Sequence, residues 1–224
     1  MTIAMSMKTT KSLSRRWLLA SGACATVAAL GPVLAAEKLR RTPTQMLGPF
    51  YPIDKPLDDD ADLTMVKGRH ARAKGQVVHV MGRVVNVDGE PVKGARLEIW
   101  QANAHGRYSH PRDTNPAPLD PNFEGYAKLL TDADGRYRFK TIKPAAYPAG
   151  NIMRPPHIHF DIAGKSNRLV TQMYFPGDPL NENDSVLATA SKNRQLLVAE
   201  VLAPTPDLEP DSLLARWDVV LENG

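Results

Sequence analysis

An all-β sandwich of short, mostly antiparallel strands, with long loops and an irregular N-terminal arm, is the fold this sequence predicts. Three observations predict it. Short runs rich in Val, Ile, Tyr and Phe recur between turn signals, as strands of a sandwich or barrel do. The 224 residues include 19 Pro and 15 Gly, which favour turns over long helices. Only residues 186–202 carry a pattern that a short helix would use.

The first element in the chain is a leader, residues 1–35. Ser14-Arg15-Arg16-Trp17-Leu18-Leu19 opens an apolar run that ends near Leu34. A basic start, an apolar middle and small residues at Val33-Leu34-Ala35 predict a secretory signal cleaved after Ala35. Paired arginines ahead of the run are of the twin-arginine type, whose pathway carries folded proteins. A periplasmic protein of about residues 36–224 is therefore expected, able to load a metal before export. The run is too short and too rich in small residues for a membrane span. Cys24 lies in this leader and is the sole cysteine, which removes disulfides, thiolate metal sites and a cysteine nucleophile from the body. Ser21 stands where a lipoprotein signal has leucine, so lipidation at Cys24 is rejected. Four of the 28 basic residues and none of the 24 acidic ones fall in the leader. The body is formally neutral, and nucleic-acid binding loses its electrostatic footprint.

Residues 36–75 read as an irregular arm rich in Pro, Asp and Lys. Its acidic knot, Asp58-Asp59-Asp60, and its basic stretch, Lys67 to Lys74, read as solvated charge. One apolar patch, Leu47-Gly48-Pro49-Phe50-Tyr51-Pro52, is expected to pack onto the body.

The body, residues 76–224, begins with a β-branched run from Val77 to Val85 and a turn at Asn86 to Pro91. Ala95 to Gln101 alternates, with Leu97, Ile99 and Gln101 on one face and Arg96, Glu98 and Trp100 on the other. Leu129-Leu130-Thr131, the turn Asp132-Ala133-Asp134-Gly135 and Tyr137-Arg138-Phe139 read as a hairpin. The Asp132-x-Asp134-Gly135 fragment reads as that turn and not as a calcium loop. His157 to Ile162 and Leu169 to Phe175 are two further strands, and Arg216 to Leu221 is the last. Trp100 and Trp217 read as core. His70, His79, His105 and His110 lack paired spacing and read as surface or turn residues.

His157 and His159 are different. Two residues apart in a strand, their imidazoles project from one face about 7 Å apart, which suits two ligands of one metal. Taken alone, His-x-His is a weak signal. Asp161 is on the same face but further along, and the remaining candidates to complete a shell are Tyr108 and Tyr147, both at structured turns. Two phenolates and two neutral imidazoles favour a ferric over a ferrous ion, because only a strongly charged cation holds a phenol ionised near neutrality.

On these residues the sequence resembles the intradiol ring-cleavage dioxygenases, and within them chains like the beta chain of protocatechuate 3,4-dioxygenase. The resemblance is carried by Gly94 to Tyr108 (with Leu97-Glu98-Ile99-Trp100-Gln101-Ala102-Asn103), Thr131 to Phe139, Thr141 to Pro144 and Tyr147-Pro148. It continues through Arg154-Pro155-Pro156-His157-Ile158-His159-Phe160 and Gln172-Met173-Tyr174-Phe175. It implies an Fe(III) cofactor bound by Tyr108, Tyr147, His157 and His159 with a hydroxide. It places Arg154 beside the bound aromatic, Gln172 behind the ligands, and Pro49 and Tyr51 in a segment walling the substrate pocket. It also implies a catechol-type small molecule and O2 as substrates, Tyr147 as acceptor of a catechol proton, and a cis,cis-muconate-type diacid as product. Because one chain carries the whole ligand set, a homo-oligomer is expected, with a pocket-completing partner subunit as the other arrangement.

The sequence departs from the family in the Tyr147–His157 loop, which is short, has Ala149-Gly150 where a Trp is usual, and has Pro156 before His157. The loop borders the open coordination positions, so its length bears on ring-substituent preference. A different reading is an exported transthyretin-like sandwich that binds without catalysis, since Gly89 to Ala95 and the Asp134-Gly135-Arg136-Tyr137 turn also suit that class. A zinc hydrolase is disfavoured by the lack of a Glu paired to the histidines.

Overall fold

Val77, Val78, Val80, Val84 and Val85 are all buried and build the longest strand of the molecule, β1 (Val77–Asn86), where their branched side chains suit a pleated surface. The structure, a computed structural model, describes residues 37–55 and 60–224. The expected leader, with Cys24 and the paired arginines, lies outside the described residues, as do Asp58 and Asp59. Among the described residues ten strands follow. They are β2 (Arg96–Trp100), β3 (Tyr126–Leu130), β4 (Arg136–Ile142), β5 (Tyr147–Ala149), β6 (Ile152–Arg154), β7 (His157–Ala163), β8 (Arg168–Tyr174), β9 (Glu200–Leu202), β10 (Leu213–Arg216) and β11 (Val219–Leu221).

In the first sheet β1 pairs antiparallel with β4 along one edge. Along the other edge β10 and then β11 lie end to end, both parallel to β1, and β9 extends the sheet beyond β10. The second sheet runs β3-β2-β7-β8 and is antiparallel throughout. The two sheets face each other. Tyr137 and Phe139 of β4 meet Phe160 of β7 at ring separations of 6.1 and 5.9 Å, and Trp217 reaches the same ring at 4.9 Å. Val78, Val80, Leu97, Ile99, Ile158 and Ile162 fill the layer between them.

Side chains that alternate off this core face of the second sheet would ordinarily meet water. In β7 they do not, because His157, His159 and Asp161 are as buried as Ile158, Phe160 and Ile162. The arm covers them. Thr42 N donates to Val220 O (3.0 Å), Gln45 N to Val170 O (2.9 Å), Thr171 Oγ1 to Pro43 O (2.9 Å) and Gln172 Nε2 to Met46 O (2.9 Å). Of the apolar patch, Phe50 and Tyr51 pack as expected while Leu47 and Pro49 stay exposed, and Lys67, Arg69, Arg72 and Lys74 are exposed.

Four sequence readings need correction. The 129–139 segment is not a hairpin: β3 pairs with β2 and β4 with β1, so the turn carries the chain from one sheet to the other. Its tip is still tight, because Asp132 Oδ1 accepts from Asp134 N (2.9 Å) and Arg136 N (2.8 Å), which commits that carboxylate to its own turn. The final strand is two, separated at Trp217, whose carbonyl accepts from the Tyr137 hydroxyl (2.6 Å). The expected helix is a four-residue α1 (Ser185–Ala188) flanked by 3-10 turns at Pro179–Glu182 and Ser191–Leu197. His79 and His110 are buried, His79 on β1 with its Nε2 2.5 Å from Glu209 Oε2.

Candidate metal centre

Three segments supply the donors. β7 projects His157 and His159 from one face, and its register sets Trp100 of β2 on one side of His159 and Gln172 of β8 on the other. Tyr147 opens β5 directly across from Arg154, which closes β6. Tyr108 comes from the long loop after β2, where its backbone N–H donates to Asp113 Oδ2 (2.7 Å). Gly106 brings that loop against the start of β5: its φ is +76°, and a Cβ there would sit 2.3 Å from Ala146 O, so only glycine fits. The Tyr108 and Tyr147 rings meet edge to face with centroids 5.2 Å apart.

The polar atoms converge. Tyr147 Oη is 3.5 Å from His157 Nε2, and His157 Nε2 is 3.2 Å from His159 Nε2. His157 Nδ1 lies 2.7 Å from Pro155 O; a carbonyl only accepts, so Nδ1 bears the proton and Nε2 presents its lone pair to the cluster. Tyr108 Oη and His159 Nδ1 are buried without any hydrogen-bond partner. Two nitrogen donors about 2.0–2.1 Å from one ion stand about 2.9–3.4 Å apart, depending on the angle between them. The imidazole spacing is that of two ligands sharing a cation. Among the described residues no cluster of three or more His, Cys, Asp or Glu exists, so the phenols are needed to complete any shell here.

Electrostatics agree with a cation as the missing partner. Burial, then the Arg154 charge, pushes His157 down to about 3, and burial pushes His159 well below the usual imidazole range. Both rings are therefore neutral at physiological pH. Burial, with the Tyr147 phenol beside it, raises Tyr108 well above 10, and burial raises Tyr147 as well. Without a strong positive charge both phenols keep their protons.

Arg154 is buried and fully engaged on one side. Its Nε donates to Asp184 Oδ2 (2.6 Å), and its Nη2 donates to Gln172 Oε1 (2.8 Å) and Tyr174 Oη (3.0 Å). Asp184 also caps α1 by accepting from Leu187 N (2.6 Å). A cavity of about 680 Å³ opens beside the cluster, bordered by Pro49, Phe50, Tyr147, Ile152, Arg154 and Val186. A larger groove of about 1100 Å³ at the β3 and β4 edges, bordered by Arg83, Lys128, Leu130 and Tyr137, contains none of these residues.

The structure thus brings together Tyr108, Tyr147, His157, His159, Arg154 and Gln172 and puts Pro49 on the cavity wall. Tyr51 is elsewhere. It does not border the cavity, its hydroxyl bonds the Glu98 carboxylate, and its ring stands edge-on to Trp100 at 5.0 Å. Sequence reasoning missed Asp184, Tyr174 and Asp113, which hold Arg154 and the Tyr108 loop. Trp100 is core, as the sequence suggests, but in a second cluster on the face opposite Leu97 and Ile99, with Tyr108, Tyr126 and Tyr147. Only the β2–β7 register shows that this face is the histidine face.

A family model described as Dioxygenase matches residues 46–223. The beta chain of protocatechuate 3,4-dioxygenase from Burkholderia cepacia is 42% identical over 197 residues, covering 85% of this chain and 83% of that one. Catechol 1,2-dioxygenase from Candida albicans is 32% identical over 168 residues, covering 68% of this chain but 53% of the enzyme, so the chain spans about half of that relative's length. Among solved structures, the dioxygenase domain of a dioxygenase and carbohydrate-binding fusion from Streptomyces sp. SirexAA-E aligns with a TM-score of 0.63 and 27% identity, covering 83% of this chain and 100% of that one.

Proposed function

We propose a function for this chain from one premise: it belongs to the intradiol dioxygenase family, whose members are ring-cleaving oxidoreductases. It binds Fe(III) through Tyr108, Tyr147, His157 and His159. With O2 it opens a catechol-type ring between the two hydroxyl-bearing carbons, placing both oxygen atoms in a cis,cis-muconate-type diacid. The observation that carries this reading is the convergence of two phenols and two imidazoles with spacings of 3.5 and 3.2 Å, beside a buried Tyr108 hydroxyl that has no other partner.

Held by Tyr108, Tyr147, His157 and His159, a ferric ion would supply Lewis acidity and an electron acceptor for a catechol-type substrate. The protein's own groups do the rest. Tyr147 Oη, at the cavity wall, accepts a proton from an entering catechol hydroxyl. His157 Nε2 remains an unprotonated donor because Pro155 O keeps the proton on Nδ1. Arg154, fixed by Asp184, Gln172 and Tyr174, borders the cavity with a charge that needs no reorganisation to stabilise negative charge developing on the ring. Phe50 and Pro49 add apolar surface to that wall.

The experiment is oxygen uptake by ferric-loaded protein with catechol, protocatechuate and hydroxyquinol, with the product's cleaved bond determined. Red-brown loaded protein that consumes O2 and yields the diacid supports the reading; a colourless protein that holds no iron sinks it. Export through the twin-arginine route and a homo-oligomeric state complete the proposal. They are checked by fractionating cells that express the parent or the Arg15→Lys, Arg16→Lys pair, and by light scattering of the purified protein.

A further inference from the structure

We propose that Trp100 and Gly48 clamp the His159 imidazole and thereby position it as a ligand, in place of the hydrogen bond that fixes His157. As far as ligation goes, this rests on the reading above. A metal-bound histidine usually donates its second ring N–H to an oxygen, which fixes the ring plane and raises its basicity. His157 follows that rule through Pro155 O (2.7 Å). His159 breaks it, because its Nδ1 is buried and has no partner.

Apart from the 3.2 Å approach of its Nε2 to His157 Nε2, what holds His159 is packing. The Trp100 indole lies nearly parallel to the imidazole, 8° between planes and 4.8 Å between centroids. Gly48 closes on the Cε1 corner of the ring, where a Cβ would stand 3.0 Å from Cε1 and 3.6 Å from Nε2. Trp100 is itself fully buried and hydrogen-bonded to nothing through Nε1, so its plane too is set by neighbours. Tyr51 is one of them, edge-on at 88°. Tyr51 in turn bonds Glu98, which is held by Lys55 Nζ (2.9 Å) and by Arg96. A chain of contacts from a buried carboxylate to an imidazole therefore fixes the tilt of His159. Tyr51 acts as a buttress of the centre from behind Trp100.

A stack restrains tilt but allows rotation in the ring plane, and it adds no basicity. The two histidines are consequently unequal: His157 is the stiffer and stronger donor, and His159 depends on Trp100 for its orientation. Trp100 and Gly48 are positioning residues, since neither offers a donor atom to the metal.

Trp100→Leu and Trp100→Phe test this in two ways. In ferric-loaded protein, the Leu variant is expected to lose iron to a chelator about 10–100-fold faster than the parent, with a shifted visible tyrosinate band, and the Phe variant to fall between. In metal-free protein, the His159 ring nitrogen resonances are expected to broaden in the Leu variant while those of His157 do not. Should the Leu variant fail to fold, the Phe variant and Gly48→Ala carry both measurements. Parent-like release, an unshifted band and unchanged His159 resonances overturn the clamp. A parent protein that takes up no iron defeats the ferric reading instead, and the metal-free resonances still decide whether Trp100 orders the ring.

Discussion

Tyr108 and Arg154 show how far single side chains at this centre are committed to something beyond the fold. The Tyr108 hydroxyl is buried without a partner, a loss of about 1–3 kcal/mol in metal-free protein. Tyr108→Phe removes that loss, so the metal-free variant is expected to resist urea slightly better than the parent. The same change removes one of the two proposed phenol donors, and the visible band of ferric loading is expected to weaken and shift, with Tyr147 left as the single tyrosinate. Urea unfolding without metal and absorbance after loading check the two opposite outcomes. Arg154→Ala behaves differently, because it leaves the Asp184 carboxylate buried with its counter-charge gone. It is expected to cost about 3–5 kcal/mol of stability. It is also expected to slow turnover about 100–1000-fold if the guanidinium stabilises charge on the ring. Unfolding curves and oxygen uptake at saturating catechol measure the two effects. The four candidate donors were legible in the sequence from the His-x-His spacing, the lack of other donors and the family resemblance. Asp184 was not legible, because an Asp before a short helix reads as a cap, and its second role as partner of Arg154 spans 30 residues of chain.

At the scale of elements, each tyrosine is only as well placed as the segment that carries it. The loop bearing Tyr108 leans on the start of β5 at Gly106, where a Cβ would run into backbone, which cannot swing aside. Gly106→Ala is expected to cost on the order of 2–3 kcal/mol through the positive φ and the forced shift. It is also expected to lower the iron retained per chain, as Tyr108 moves off Tyr147. Thermal unfolding and iron content after gel filtration test it. Strands could be read from composition because β-branched and alternating runs are local signals. Pairing could not: β3 and β4 are joined by a tight Asp turn that looks like a hairpin, yet they serve different sheets. Tyr51 stands off the cavity for a similar reason. The apolar patch was expected to pack, and its Phe50 and Tyr51 do so, but it meets β2 as well as the cavity, and Tyr51 falls on the β2 side.

For the whole molecule, the loop before β10 is pinned to the first sheet by Glu209, which bonds Lys140 Nζ (2.7 Å) and lies 2.5 Å from His79 Nε2. Lys140, and then His79, hold the Glu209 carboxyl down to about 2, from an ordinary 4.5. A depressed carboxylate stabilises the fold above its unfolded pKa and loses that contribution as pH falls toward the folded value. Stability is therefore expected to decline from about pH 4.5 to about pH 2, with a shallower decline in Glu209→Gln; urea midpoints across that range decide it. The group is partly exposed, so the effect is modest and shrinks in high salt. By itself the sequence determined the β class, the turns, the neutrality of residues 36–224 and the identity of the four candidate donors, because those follow from residue type and short-range spacing. Only the tertiary structure decided that the arm buries the histidine face, that Trp100 stacks on His159, and that Arg154 is locked by Asp184. Those depend on strand register and long-range packing, where residues far apart in the chain become neighbours only once two sheets and an arm close over one another.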